Sequence, residues 1–129
     1  MSRRPAVLLL HRQTHGEHYD WMLEDPLSPP TRGQLVTFRL AMPADQWHAA
    51  KHFDLQRLTD HRREYLQYEG PLSGDRGHVQ RTDSGWYRVR LWSPMRMVID
   101  VRMHTFAGAI ELAQVRDDQW RAVVIATAS

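Results

Sequence analysis

The feature that most constrains this chain is its punctuation. Short apolar or alternating runs follow one another along its length, and turn-forming residues separate them. No stretch carries apolar residues at helical spacing for long enough to make a long amphipathic helix. The candidate strands are Ala6–His11, His18–Glu24, Leu35–Met42, Phe53–Leu58, Gly77–Thr82, Gly85–Trp92, Met97–Met103, Ala109–Val115 and Trp120–Ala126. Asp83-Ser84-Gly85 reads as a hairpin turn between the fifth and sixth of these, and Arg116-Asp117-Asp118-Gln119 joins the last two. Asp25-Pro26-Leu27-Ser28-Pro29-Pro30-Thr31-Arg32-Gly33 can continue neither a ladder nor a helix and reads as a loop. Pro43–Lys51 and His61–Gln67 are short enough for a turn or two of helix. The pattern predicts a mainly β fold, a sandwich or barrel with one or two short helices.

Length and composition set the remaining bounds. A chain of 129 residues predicts a single domain, 1–129. Five tryptophans and a 42% apolar share supply a real core. The longest apolar run, Ala6–Leu10, is too short to cross a membrane, and no membrane partner is expected. The chain has no cysteine, which excludes disulfides, thiolate metal sites and a cysteine nucleophile. This fits a reducing compartment, and a cytoplasmic location is expected. Of the 17 basic residues, 16 are arginine, with Lys51 the exception. Arginine suits bidentate phosphate contacts, so the bias leans towards a phosphate-bearing partner.

Eight histidines raise the question of a metal or an acid–base site. The densest stretch is His11-Arg12-Gln13-Thr14-His15-Gly16-Glu17-His18-Tyr19-Asp20. On a strand His18 and Asp20 share a face, about 6–7 Å apart along the chain. Imidazole and carboxylate together suit a first-row transition ion such as Mn, Fe, Co or Zn, and three donors leave positions open for chemistry. The third donor comes from His11, at the end of the preceding strand, or from His15 in the turn. Asp60-His61 with Tyr65 forms a second, weaker cluster.

The stretch His18-Tyr19-Asp20-Trp21-Met22-Leu23-Glu24 resembles the H-[YW]-D-[FLW]-x-L-E signature of the 3′-phosphoesterase domain of bacterial DNA ligase D. Asp60-His61-x-x-Glu64-Tyr65-x-x-Tyr68-Glu69-Gly70 is similar to that family's second signature. Gly74, Gly77, Val79, Asp83, Gly85 and Trp86 follow its glycine run. Phe106–Leu112 with Trp120 resembles its closing hairpin. The likeness spans about residues 6 to 125, as for a stand-alone member without polymerase or ligase modules.

The resemblance implies a compact antiparallel β-barrel with a Mn-dependent site on one face (Zn or Co being other divalent choices). The implied reaction trims a 3′ ribonucleotide and then a 3′ phosphate from DNA ends during repair. Separate ligase or polymerase proteins would then use the product. On this reading His11, His18 and Asp20 are metal ligands, and His61 and Tyr65 are catalytic. The family carries an arginine where this chain has Met22, a lysine where it has Ala44, and an acid where it has Thr59. Arg39 and Arg57 are the candidate substitutes for phosphate binding. His11 and His18 are also one residue further apart than the family pattern, which keeps His15 in play as a ligand. These departures leave two other expectations open: a phosphoesterase with a different phosphorylated substrate, or a non-catalytic nucleic-acid-binding barrel.

Overall fold

The computed structural model describes residues 2–28 and 34–127. It is mainly β, with strands β1 (Arg4–Gln13), β2 (Gly16–Glu24), β3 (Gln34–Leu40), β4 (His52–Arg62), β5 (Gly70–Pro71), β6 (His78–Trp92), β7 (Arg96–Met103), β8 (Ala107–Arg116) and β9 (Gln119–Thr127). All neighbouring strands pair antiparallel. The order β1-β2-β3-β4-β9-β8-β7-β6 closes on itself through β1–β6, giving a barrel-like ring of eight strands with β5 as an outrigger on β6. The Asp25–Gly33 loop begins with Asp25 Oδ1 accepting from Leu27 N at 2.8 Å. Its Pro29-Pro30-Thr31-Arg32-Gly33 half lies outside the described residues.

Period-two alternation divides every strand between two faces. The inner face carries the main core, including Leu8, Trp21, Leu23, Phe38, Trp47, Ile99 and Trp120. On the outer face Val7, Leu9, Met22, Leu35 and Val79 form a second apolar cluster, covered by Tyr65, Leu66 and Leu72. The ring is therefore apolar on both sides at β1–β3, and the segment between β4 and β6 lies across it.

Each predicted helical piece is shorter than its window. Pro43 leads into a 3-10 turn, Ala44–Gln46, and helix α1, Trp47–Ala50, which ends at Lys51 with φ +67°. Fully buried Trp47 stacks on Phe53 at 5.0 Å and meets Trp21 at 4.7 Å. In the second window only Arg63–Leu66 coils, as a 3-10 turn, while His61 still belongs to β4.

The hairpin read at Asp83-Ser84-Gly85 is not formed. The chain runs straight through as β6, pairing first with β1 and then with β7. Its turn-like residues serve other contacts. The Asp83 carboxylate accepts from the backbone N–H of Ser84 and His104 at 2.7 Å each and of Thr105 at 3.0 Å, holding the β7–β8 turn. Gly85 lies where strands close up: a Cβ there would sit 1.8 Å from the Arg102 carbonyl oxygen. A polar–glycine triplet signals a turn only when nothing distant needs its groups.

Candidate metal centre

A two-residue turn, Thr14-His15, joins β1 to β2 and sets their register at Gln13 opposite Gly16. That register puts His11 directly across from His18. Cross-strand partners hold their Cβ atoms about 4.5–5.5 Å apart, so the two rings meet on the outer face. Asp20 joins them from two residues along β2. His11 and Asp20 are buried and His18 nearly so. His15 is exposed in the turn and stays out of the cluster, so it is His11 that is brought together with His18 and Asp20.

His11 Nδ1 lies 3.1 Å from His18 Nε2 and 3.5 Å from Asp20 Oδ2, and His18 Nε2 lies 3.3 Å from Asp20 Oδ1. Donors bound at about 2.0–2.2 Å to one ion sit roughly 3.0–3.5 Å from each other. The triangle has that size. Asp20 Oδ1 is buried and makes no hydrogen bond. An anionic oxygen left so is costly unless a cation faces it. The far side of His11 is also fixed: its Nε2 lies 2.7 Å from the Arg76 carbonyl oxygen. A carbonyl only accepts, so Nε2 carries a proton, the tautomer that in a neutral ring leaves the Nδ1 lone pair for the inward side. Outer hydrogen bonds of this kind orient metal-binding histidines. Among the described residues, His11, His18 and Asp20 form the one group of side chains with this convergence.

The triad opens into a cleft of about 460 Å³ whose walls include Met22, Arg39, His61, Tyr65 and Arg76. Arg39 pairs with Asp20 across β2–β3, and its Nε is buried without a hydrogen-bond partner. It also lines a second cleft of about 680 Å³, which reaches His18 from the other side. His61 reaches the outer face because of a bulge. Thr37 pairs with Leu58 but Leu35 with His61, so β4 holds one extra residue and the alternation flips. His61 Nδ1 donates to the Thr59 carbonyl oxygen at 2.9 Å, which leaves Nε2 for other partners. The His61 and Tyr65 rings meet edge to face at 5.7 Å.

Tyr65 rides on the 3-10 turn, and that turn is pinned by an ion pair from Arg63 to buried Glu24, which Arg4 also meets at 3.2 Å. The Tyr87 hydroxyl donates to the Glu24 carbonyl, and burial raises its pKa, so it stays protonated.

Two sequence-based placements, Arg57 and Asp60, fall outside the cleft, while Met22 keeps its place in it. Arg57 does not line the cleft. It pairs with Phe38 on the inner face and lies over the Phe38 and Trp120 rings at 6.0 and 5.5 Å. The alternation of β4 before its bulge sends it inward, so it is no substitute phosphate contact. Asp60 lies near Arg57 and Asp25 and is absent from the cleft wall. Met22 is 1% exposed and packs in the outer cluster as part of the cleft floor. Sequence reasoning missed Arg76, whose backbone and side chain both bear on the site. The signal available was Gly77, with φ +88° and a Cβ position 1.9 Å from the Arg12 carbonyl oxygen. Only glycine brings the loop that close to β1, and this closeness delivers the Arg76 carbonyl to His11.

No protein-family model matches the chain, and no curated protein matches it.

Proposed function

We propose that this protein is a divalent-metal-dependent phosphoesterase acting on 3′ ends of nucleic acid, with Mn as the first candidate ion. The observation that carries the reading is the triangle of His11 Nδ1, His18 Nε2 and the Asp20 carboxylate, with its orphaned oxygen, beside His61, Tyr65 and Arg39. His11, His18 and Asp20 would hold the ion. When bound, such an ion supplies Lewis-acid polarisation of a phosphoryl oxygen and acidifies water.

The remaining work belongs to side chains. Arg39, partly buried in the cleft wall and in no ion pair among the described residues, offers its guanidinium to a non-bridging phosphate oxygen. Tyr65 donates its hydroxyl to another. Water adds to phosphorus as the ester P–O bond breaks and passes its proton to solvent, while the departing alkoxide takes a proton from His61 Nε2–H, which solvent then restores, the arrangement that general acid catalysis requires. Separate polymerase or ligase chains would use the resulting 3′ hydroxyl.

The test is a primer–template ending in one ribonucleotide, incubated with Mn, Co or Zn. Metal-dependent trimming by the wild type, lost in Asp20→Ala, supports the reading; no trimming with any divalent ion removes it. Asp20→Ala should also weaken Mn binding by roughly 100-fold or more, since even outer contacts to a ligand are worth about 10–100-fold. The apolar floor at Met22 favours a second reading, a phosphoesterase for a different phosphorylated substrate. A panel of small phosphomonoesters and phosphodiesters separates the two.

A further inference from the structure

A second feature of the outer face lies away from the cleft. Trp86 pairs with Pro5 across β1–β6 and with Arg102 across β6–β7. Two cations lie over its ring: the Arg3 guanidinium is 4.3 Å from the centroid and that of Arg88 is 5.1 Å from it. Arg90 stands beside them, tied to Asp100 at 2.7 Å. A shallow recess of about 260 Å³ runs between Trp86, Arg88, Arg90, Asp100 and Arg102. The patch holds four arginines against one carboxylate. Among the described residues, Arg3, Arg88 and Arg102 meet no carboxylate, and Arg88 Nε is buried without a hydrogen-bond partner.

Register places this patch relative to the triad. Pro5, Val7, Leu9 and His11 alternate onto one face of β1, so Trp86 and the triad share the outer face. Six residues of extended chain separate Pro5 from His11, about 20 Å at roughly 3.3–3.4 Å per residue. That is about six base-pair steps of duplex, each rising about 3.4 Å.

We infer that the Arg3–Trp86–Arg88–Arg102 patch is a docking platform for the phosphate backbone of nucleic acid, separate from the cleft. The occupant follows from the chemistry. Guanidinium groups held over an indole by cation–π attraction keep N–H donors free for phosphate oxygens. The patch has no deep apolar pocket to seat the anchor side chain of a protein partner. Its readout is charge and spacing, not base sequence. The inference rests on the reading that the substrate is nucleic acid, and it adds a contact remote from the reacting end.

The experiment measures fluorescence anisotropy of a labelled duplex of about 20 base pairs, with metal-dependent cleavage of a dinucleotide as a separate readout. The dinucleotide is too short to span the two sites. The variants are Arg88→Gln/Arg102→Gln and, because Arg88 is partly buried, a second pair of fully surface residues, Arg3→Gln/Arg102→Gln. The expected result is a loss of roughly tenfold or more in duplex affinity at low salt. The slope of log K against log salt should shallow by about one per arginine removed. Dinucleotide cleavage should be unchanged. If both variants bind duplex with wild-type affinity and slope, the platform is overturned while the cleft reading stands. If the wild type ignores duplex but captures polyglutamate in a salt-sensitive way, the platform is overturned in favour of an acidic protein partner. Absence of dinucleotide cleavage in the wild type counts against the cleft and leaves the anisotropy result to decide the platform.

Discussion

Met22 shows how one side chain on β2 ties the site to the core. Its neighbours along the strand point inward, and Met22 itself packs against Val7, Leu9, Leu35 and Val79 beneath the cleft. An arginine there would have to bury its stem and find an anion at once. Met22→Arg should lower stability by about 2–4 kcal/mol, while Met22→Leu, which keeps volume, should cost less than about 1.5 kcal/mol. Urea midpoints of the two variants check this. Asp60 permits a pH prediction. Burial raises its pKa more than Arg57 lowers it, and Asp25 adds to the rise. With the folded value above the unfolded one, the unfolded state gives up its proton first as pH climbs. Stability contributed here is therefore lost between the ordinary carboxylate range and the raised value. Asp60→Asn escapes that loss. Its melting temperature should match wild type near pH 3 and exceed it slightly at pH 7; the effect is small because the group is only partly buried.

At the scale of elements, the loop before β6 carries the clearest prediction, because two glycines in it are held for different reasons. Gly74 has φ +69° and open space around its Cβ position, whereas Gly77 has φ +88° and a collision with the Arg12 carbonyl. Gly74→Ala should cost about 1 kcal/mol, the usual penalty of a left-handed alanine. Gly77→Ala should cost more, about 2–4 kcal/mol. It should also weaken Mn binding by roughly tenfold through the displaced Arg76 carbonyl. Calorimetry of metal binding and thermal melts of both variants separate the two effects. The same loop shows what sequence could and could not reveal. Strands with clean alternation, such as β2, were legible, and with them the shared face of His18 and Asp20. The two-residue turn that makes His11 their partner was not, because register depends on where pairing begins. One inserted residue in β4 turns His61 outward, onto the face opposite Arg57, which lies before the bulge. Asp83-Ser84-Gly85 misled because its polar groups are used by the β7–β8 turn, across the fold.

For the whole molecule, the decisive fact is that the ring closes between β1 and β6. Leu8 pairs with Asp83, and the Thr82 hydroxyl donates to the Leu8 carbonyl at 3.1 Å, across a separation of 74 residues. Closure orders most of the chain before it returns any contact, and such non-local pairing slows folding. The triad sits on the first hairpin, and that hairpin supplies one side of the closing seam. The site cannot persist while the ring is open, and the ring has no autonomous half in which it could survive. Unfolding in urea should therefore be a single transition. Far-UV circular dichroism and tryptophan fluorescence should give the same midpoint, with Trp21 and Trp47 reporting the inner core. Refolding should take milliseconds to seconds, on the order expected for ring-closed β topologies. Saturating Mn should move both midpoints together to higher urea, since binding only the closed state adds its free energy to the one equilibrium. A fluorescence midpoint that stays put while the dichroism midpoint moves would mean that the metal hairpin folds independently of the ring, and the coupling argued here would fail.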